Sequence, residues 1–502
     1  MLVIALMVTG YAGYLWYQST RVHHVDVKGL TSAPNANGTD QTENILMVGS
    51  TDRCALKSKN PAYGLCSQGV TGVNSDVVMI LHLDWTLSRV SILSIPRDTF
   101  IPNARKDGAN KIDAALAEGP SQLVNAVQKD FAIPIQHFVE LNFDTFAGVV
   151  DALGGVNMYF PKRVYDAESG LAQFHIGCNH LTGIQALQVV RARHLQYQPN
   201  DSYGPDTSGW PQEQQSDLAR IRRNHEFIRV LAAAVAKQGI SDPITDAKLI
   251  TAVAPQLTVD TSLGTQDMIN LILHFHGVNS QTAPQYTLPV MASNSYSYYY
   301  KGYDYGNVAF PDNVPDLVTI QSFLGVTPRI NTITGHQLPR PKTITVAVLN
   351  GSGTTNQAAD TAAALGKLGY KIGTIGDAVP VGNPAETLVA YNSTKPQVVA
   401  NAQRVIRSLS GQAILAYEPS QAAPVTVITG TTFAVNSPPA PVAPTTTTTH
   451  PSGTTSPTAS TTTSTAPTTT TTVPGFAPTS QNVESLQPWD PRSCTASGGE
   501  GP

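Results

Sequence analysis

Three apolar runs, each bordered by charged residues, organise the first half of the chain. Asn44 to Gly49 (N-I-L-M-V-G) leads into Ser50-Thr51-Asp52-Arg53, and Val77 to Leu83 (V-V-M-I-L-H-L) follows Ser75-Asp76. Val90 to Ile95 stops at Pro96 and then delivers Arg97 and Asp98. Short continuous apolar runs rich in β-branched residues read as buried strands, and a proline cannot donate to a central ladder. The segment from Asp84 to Arg89 is too short for a parallel crossover, so the second and third runs form an antiparallel hairpin. With the first strand parallel to the third, Asp52, Arg53, Asp76, Arg97 and Asp98 collect on one rim of the sheet.

The pattern then alternates between the two periods. A loop carrying Lys111-Ile112-Asp113 precedes a helix from Ser121 to Phe131. Pro134 to Phe143 alternates like a strand, Asp144 to Leu153 reads as a helix closed by Gly154-Gly155, and Val156 to Phe160 is a further strand. Gly183 to Val190 is helical and runs into Arg191-Ala192-Arg193-His194; after a polar loop to about Gln215, Asp217, Arg220 and Asn224 share one helix face at i, i+3 and i+7. From Leu231 to about Phe323 further helices are expected, with a strand at Gln285 to Val290 and a tyrosine-dense stretch from Ser293 to Tyr305 packed on its own domain. The fold class is α/β or α+β, a mixed central sheet sandwiched by helices.

Around Thr343 a new unit begins: strand, Gly351-x-Gly353 turn, Ala-rich helix, then shorter strands and a helix from about Gln397 to Leu409. It reads as a small α/β module, and its turn lacks the lysine of a phosphate-binding loop. From Pro419 to Val483 there is no Asp, Glu, Lys or Arg, and Thr, Pro and Ser dominate from Ser437 on. Such a tract buries no core and reads as a disordered, extended stalk. The expected organisation is an anchor over 1–18, a linker over 19–42, a main domain over 43–335, the small module over 343–418 and a tail over 419–502.

Composition removes one class of function and suggests a location. Across 502 residues the net charge is -4 with 13% charged residues, which is no footprint for nucleic acid. Met1 to Tyr17 is uncharged and almost wholly apolar, about 26 Å long as a helix, and ends in Trp16 and Tyr17, so a single-pass membrane anchor is expected. Cys54 and Cys66 bracket a short polar loop and are expected to form a disulfide, which suits an extracytoplasmic setting. His175-x-x-Cys178-x-His180 lacks a fourth ligand at zinc-like spacing and is set aside as a metal site. Arginine density is far above average at Arg191, Arg193 and Arg220 to Arg223. Two like charges about 4 Å apart repel by roughly 4 kcal/mol at an effective dielectric of 20, so a converging set favours binding an anion.

Taken in order, these pieces resemble the LytR-CpsA-Psr family of membrane-anchored glycopolymer transferases. The matching stretches are N-I-L-M-V-G-S-T-D-R, N-S-D-V-V-M-I-L-H-L, S-I-P-R-D-T-F-I-P, K-I-D-A-A, V-D-A-L-G-G-V, L-T-G-I-Q-A-L-Q-V-V-R-A-R-H and D-L-A-R-I-R-R-N. The resemblance implies an apolar tunnel for a lipid tail and an arginine-lined mouth for its pyrophosphate. It implies that Asp52 and Asp76 are associated with Mg²⁺ (or Mn²⁺), and that Arg53, Arg97, Lys111, Arg191, Arg193, Arg220 and Asn224 bind the pyrophosphate. Asp52 or Asp98 would act as general base, which leaves Asp52, Asp76, Arg97 and Asp98 as the catalytic set. The expected partners are a polyprenyl-pyrophosphate-linked glycan, a peptidoglycan hydroxyl and the membrane, with the catalytic domain outside it at the cell wall. Arabinogalactan is the polymer expected from the actinobacterial look of the small module, which resembles a LytR C-terminal domain. Two departures stand out: Asn74 where the family often has Arg, and Asn224 where it often has Gln. The alternatives are a pyrophosphate hydrolase, a non-catalytic wall-binding scaffold and a transcriptional attenuator.

Overall fold

In the computed structural model the apolar runs become the middle of a seven-stranded mixed sheet. The structure describes residues 22–32, 42–54, 56, 66–69, 71–214, 216–238, 257–275, 278, 283–292, 297–300, 302–311, 313–325, 337–379, 387–411, 413–431, 433–435, 471–472 and 486–494. The strands of the first unit are β1 (His23–Val25), β2 (Thr42–Ser50), β3 (Ser75–Asp84), β4 (Arg89–Ile95), β5 (Phe100–Arg105), β6 (Gly108–Lys111), β7 (His137–Leu141), β8 (Val156–Phe160), β9 (Val164–Asp166), β10 (Leu171–Gln173), β11 (Gly177–Leu181), β12 (Gln196–Tyr197), β13 (Thr258–Asp260) and β14 (Gln285–Thr287). Its helices include α1 (Pro120–Phe131), α2 (Phe143–Ala152), α3 (Gly183–Arg191), α4 (Ser216–Gln238), α5 (Thr265–Phe275) and α6 (Asn313–Leu324).

The sheet order is β1-β13-β7-β2-β3-β4-β14. β3 is antiparallel to both β2 and β4, which makes β2 and β4 parallel to each other and brings the end of β2, the start of β3 and the end of β4 to one edge. Register is set by the alternation of faces, since a one-residue slip would turn every core side chain outward. Leu46 opposes Ile80, which opposes Leu93, and Val48 opposes Val78, which opposes Ile95. These six pack with Leu123, Val124, Val127 and Phe131 of α1 and with Ile320 and Phe323 of α6 in the main core. Each fully buried Leu or Ile contributes about 1.5–3 kcal/mol. The alternate positions face α4: Ser94 lies 2.7 Å from the His225 ring nitrogen Nε2. Helices therefore cover both faces, as the sequence pattern predicts.

Local chemistry fixes the helix ends that matter. α1 opens with Pro120 at its first position after Gly119 at φ 101°, where no side chain is tolerated cheaply. At α2, the Asn142 side chain accepts from the Thr145 N–H at 2.9 Å. At α3, Thr182 and Gln185 form a reciprocal capping box. The aromatic stretch forms a small hairpin, Tyr299–Tyr300 against Tyr303–Asp304.

The second compact unit covers residues 338–414 and 418–478. Strand Thr345–Asn350 runs parallel to Lys371–Asp377 and to the central strand Val425–Thr429, and Thr387–Tyr391 joins antiparallel to the latter. Helices Gln357–Lys367 and Pro396–Ile406 complete an α/β module.

Three expectations change. The module does not stop at 418, because Val425–Thr429 is an interior strand of its sheet and Phe433–Val435 pairs with Leu409–Gly411. Nor is the rest of the chain only a tail: residues 486–494 belong to the first unit, and Arg492–Ser493 pairs with β8. The expectation of a single-pass membrane protein with its catalytic domain outside is corrected as well. No helix among the described residues is long and apolar enough to cross a membrane. The longest, α4, carries Asp217, Arg220, Arg222, Arg223, Glu226 and Arg229. Residues 1–18, to which the anchor was assigned, lie outside the described residues.

The packing of α3 on α2 has no slack at Gly183, where an added Cβ would press on the Ala147 backbone rather than on a movable side chain. Gly183→Ala should cost about 1–3 kcal/mol, the usual range for overpacking, read as a lowered denaturation midpoint. An unchanged midpoint would show that the two helices part without penalty.

Candidate functional site

The rim predicted from strand spacing forms, and α3 and α4 add to it. Asp76 follows the first residue of β3, Arg97 and Asp98 follow β4, Arg191 ends α3, and Asp217 and Arg220 lie in the first turns of α4. A cavity of about 230 Å³ is lined by Thr51, Arg53, Asn74, Asp76, Arg97, Glu168, Ser169, Arg191, Arg193 and Arg220. Five guanidinium groups thus face two carboxylates.

The arginines are held by a chain of shared carboxylates. Arg97 Nη1 is 2.5 Å from Asp76 Oδ1, and Arg220 Nη1 is 4.0 Å from the same oxygen. Arg220 Nη2 also donates to the Asp76 backbone carbonyl at 2.6 Å and pairs with Asp217 Oδ1 at 2.5 Å. Asp98 lies 3.0 Å from Lys111 Nζ, 3.6 Å from Arg97 Nε and 3.8 Å from Arg193 Nη2. Arg53 and Arg191 stack over one ring, Phe143, with their guanidinium carbons 5.4 and 4.7 Å from its centroid. The backbone after α3 is pinned too: the buried Asp166 carboxylate accepts the N–H groups of Arg193 at 2.8 Å and His194 at 2.7 Å.

The charge states follow. Burial pushes the Asp76 carboxyl up, but Arg220 and Arg97 outweigh it and hold the group below the usual carboxylate range. Burial works against the Arg97 cation too, yet Asp76, Asp98 and Asp217 keep its pKa raised. Arg191 and Arg193 are different. Burial lowers both, and neighbouring cations lower them further: Arg53 for Arg191, and Arg97 with Arg220 for Arg193. Arg193 Nε is buried without a hydrogen-bond partner. An anion with several oxygens entering the cavity would relieve both strains, and guanidinium forks match phosphate oxygens two at a time.

The remaining sequence candidates are placed less directly. Asp52 is not among the lining residues; its Oδ1 accepts the Cys54 N–H at 2.9 Å in the turn before the Cys54–Cys66 disulfide. Lys111 acts on Asp98 and is likewise not in the lining. Asn224 lies one turn beyond Arg220, on a crevice of about 10 Å³ behind Asp76 that is bounded by Val77, Val78, Met79, Ile95 and Ile221. That crevice is the apolar space adjoining the mouth, where a tunnel is expected. A larger cavity of about 650 Å³ includes Glu43, Trp85 and His137 at the opposite end of β2, with no arginine, and its chemistry sets it apart.

Several contributors escaped sequence reasoning. Phe143 is one aromatic among many, and Glu168 and Ser169 sit in no pattern. Asp490 is the least expected: its carboxylate is fully buried against Arg222 and Arg223. The signal available for it was the return of Trp, Asp, Arg and Cys together after a tract without charge. Cys178, set aside as a metal ligand, is bonded to Cys494. Among the described residues no group of three or more His, Cys, Asp or Glu could hold a metal. Of the two carboxylates expected to be associated with a divalent cation, Asp76 is in the lining and Asp52 is outside it.

Comparison with known proteins adds a frame. The model of the LytR_cpsA_psr family matches residues 15–309, and that of the LytR cell envelope-related transcriptional attenuator matches 343–433. A probable cell wall biosynthesis protein, LcpB of Corynebacterium glutamicum, is 29% identical over 315 residues, 62% of this chain and 66% of that protein. The polyisoprenyl-teichoic acid–peptidoglycan teichoic acid transferase TagU of Bacillus mycoides is 28% identical over 202 residues, 38% of this chain and 60% of that one. The chain thus spans less than two thirds of these relatives' length. A solved LytR-Csp2A-Psr enzyme from Actinomyces oris overlays with a TM-score of 0.45 at 23% identity, covering 61% of this chain and 97% of that one.

Asp113 lies beneath the rim, with its N–H bonded to the Arg97 carbonyl. Burial pushes its carboxyl up to about 6, against the pull of Arg97. Its folded value exceeds its unfolded value near 3.8. Its contribution to stability is therefore complete below about pH 3.8 and is lost as pH rises through about 6. Asp113→Asn should match wild type near pH 4 and exceed it by on the order of 2–3 kcal/mol at pH 7 in denaturant titrations. A difference that does not change with pH would place this carboxyl in water.

Proposed function

The chain belongs to the LytR-CpsA-Psr family, and from that premise we propose that it transfers a phosphorylated glycopolymer from a polyprenyl-pyrophosphate carrier to a peptidoglycan hydroxyl, leaving a phosphodiester link. The observation that carries the reading is the cavity in which Arg53, Arg97, Arg191, Arg193 and Arg220 converge. Burial and neighbouring cations disfavour the charged forms of Arg191 and Arg193. A pyrophosphate brings the opposite charge and offsets both effects.

In the proposed reaction the acceptor oxygen attacks the phosphorus on the glycan side. The bond from that phosphorus to the bridging oxygen breaks, and polyprenyl phosphate leaves with the bridging oxygen. Arginine side chains stabilise the charge on the equatorial and leaving oxygens, and phosphoryl transfer draws most of its acceleration from such positioning and charge stabilisation. Asp76 orients Arg97 and Arg220, while Asp217 holds Arg220 and accepts the Arg97 N–H. Mg²⁺ or Mn²⁺ carried on the pyrophosphate would add Lewis-acid polarisation, with Asp76 as its protein carboxylate. The acceptor proton passes to a carboxylate at the rim, Asp98 or Asp52. The polymer proposed is arabinogalactan, a reading that rests on the match of residues 343–433 to the LytR C-terminal module.

The test supplies a short polyprenyl-pyrophosphate glycan, peptidoglycan fragments and Mg²⁺, and follows glycan joined to the fragment. Wild type should transfer, and Arg97→Ala and Asp76→Ala should each lose about 10²-fold or more, the usual cost of removing one transition-state donor. Of Asp52→Asn and Asp98→Asn, the variant that loses the acid limb of the pH–rate profile names the base. Released phosphorylated glycan without transfer would make the protein a hydrolase; tight binding with neither product would make it a scaffold. Arabinan-galactan and teichoic acid donors run side by side decide the polymer.

A further inference from the structure

The residues 486–494, more than 260 positions beyond Arg220 in sequence, lie against the helix that carries it. Arg492–Ser493 adds an antiparallel strand to β8, and the Ser493 N–H donates to Glu226 Oε1 of α4 at 2.8 Å. Trp489 stacks on Tyr197 with centroids 4.1 Å apart and planes at 4°. Between these contacts Asp490, wholly buried, accepts from Arg222 Nε at 2.6 Å and stands 3.4 Å from Arg223 Nη1. Glu213 supplies the second carboxylate, 2.7 Å from Arg223 Nη1, and receives the Trp489 indole N–H at 3.3 Å.

This network reaches the mouth by two routes, one along the backbone of α4 and one through a hydrogen bond. Arg222 and Arg223 are the second and third residues after Arg220 on the same helix, so holding them fixes the azimuth of Arg220 towards Asp76. Arg223 Nη2 also donates to the Ala192 carbonyl at 2.6 Å. Ala192 stands between Arg191 and Arg193, both of which line the cavity.

The geometry points to Asp490 as a positioning residue: the C-terminal segment 486–494 is an intramolecular clamp that sets Arg191, Arg193 and Arg220 for the anion, acting through Arg223 and α4. Two buried guanidinium groups here are matched by two carboxylates, one of them brought from the end of the chain. Without Asp490, Arg222 and Arg223 compete for Glu213, and the hold of Arg223 on Ala192 is the contact released. The inference rests on the reading of the mouth as a pyrophosphate site, and inorganic pyrophosphate is therefore the probe.

Calorimetric titration of the full chain with pyrophosphate should show affinity falling about tenfold or more in Asp490→Asn, within the range of coupling expected inside one ionic network. Asp490→Glu should restore it while the melting temperature stays below wild type, a separation that a purely structural role would not give. A folded Asp490→Asn with wild-type affinity would overturn the clamp. If that variant fails to fold, a full-length Cys494→Ala chain with a protease site in the Thr/Pro tract decides. Cutting and removing the C-terminal piece should weaken pyrophosphate binding, and adding back a peptide of residues 484–502 should restore it, whereas the peptide with Asp490→Asn should not. Unchanged binding after the cut would overturn the inference. Pyrophosphate binding that behaves as expected in a protein that transfers no glycan would sink the proposed reaction and leave the clamp standing.

Discussion

Five guanidinium groups around one small cavity repel one another, and most of the architecture of the first unit answers that repulsion. The answer is not neutralisation, since the lining holds only Asp76 and Glu168 against them. It is division of labour. Arg97 and Arg220 share Asp76 and Asp217 and are electrostatically settled, whereas Arg53 and Arg191 lean on the face of Phe143 and Arg193 reaches only a distant Asp98. The pair held by Asp76 is the floor of the arrangement, and the proposed anion would meet the other three arginines as well. Strand register places the floor: Asp76 meets Arg97 because β3 begins where its antiparallel neighbour β4 ends.

That part of the design was legible in the sequence for a physical reason. Uninterrupted apolar strands bounded by charges carry their own direction and register, and a six-residue connection admits one pairing. Arg97, Asp98 and Asp76 could be placed on a common edge from spacing alone, and arginine density marked Arg191, Arg193 and Arg220. What spacing could not convey was depth. Asp52, Asp98 and Lys111 share the rim yet are not among the lining residues: Asp52 is bonded in the turn at Cys54, and Asp98 and Lys111 pair with each other.

Long-range partners were the least legible. Phe143 sits at the start of α2 and meets Arg53 and Arg191 only through tertiary packing. Four cysteines admit three full pairings, and only Cys54 with Cys66 was close enough in sequence to suggest itself. The end of the chain follows a tract of Thr, Pro and Ser, whose composition says nothing of where its far end docks. The expected membrane span was assigned to residues 1–18, outside the described residues, and no helix among the described residues is long and apolar enough to cross a membrane.

Asp490 also imposes an order on synthesis. A ribosome releases α4, with Arg222 and Arg223 on it, some 260 residues before the carboxylate that completes their pairing. Domains tend to fold as they emerge, N-terminal part first. The first unit therefore leaves the ribosome with a buried-charge site half filled and waits through translation of the whole second unit for its last counter-ion. A chain that terminates early carries all five arginines of the cavity but lacks Asp490, the buried partner of Arg222 and Arg223, so completion of this ion cluster is coupled to completion of the chain.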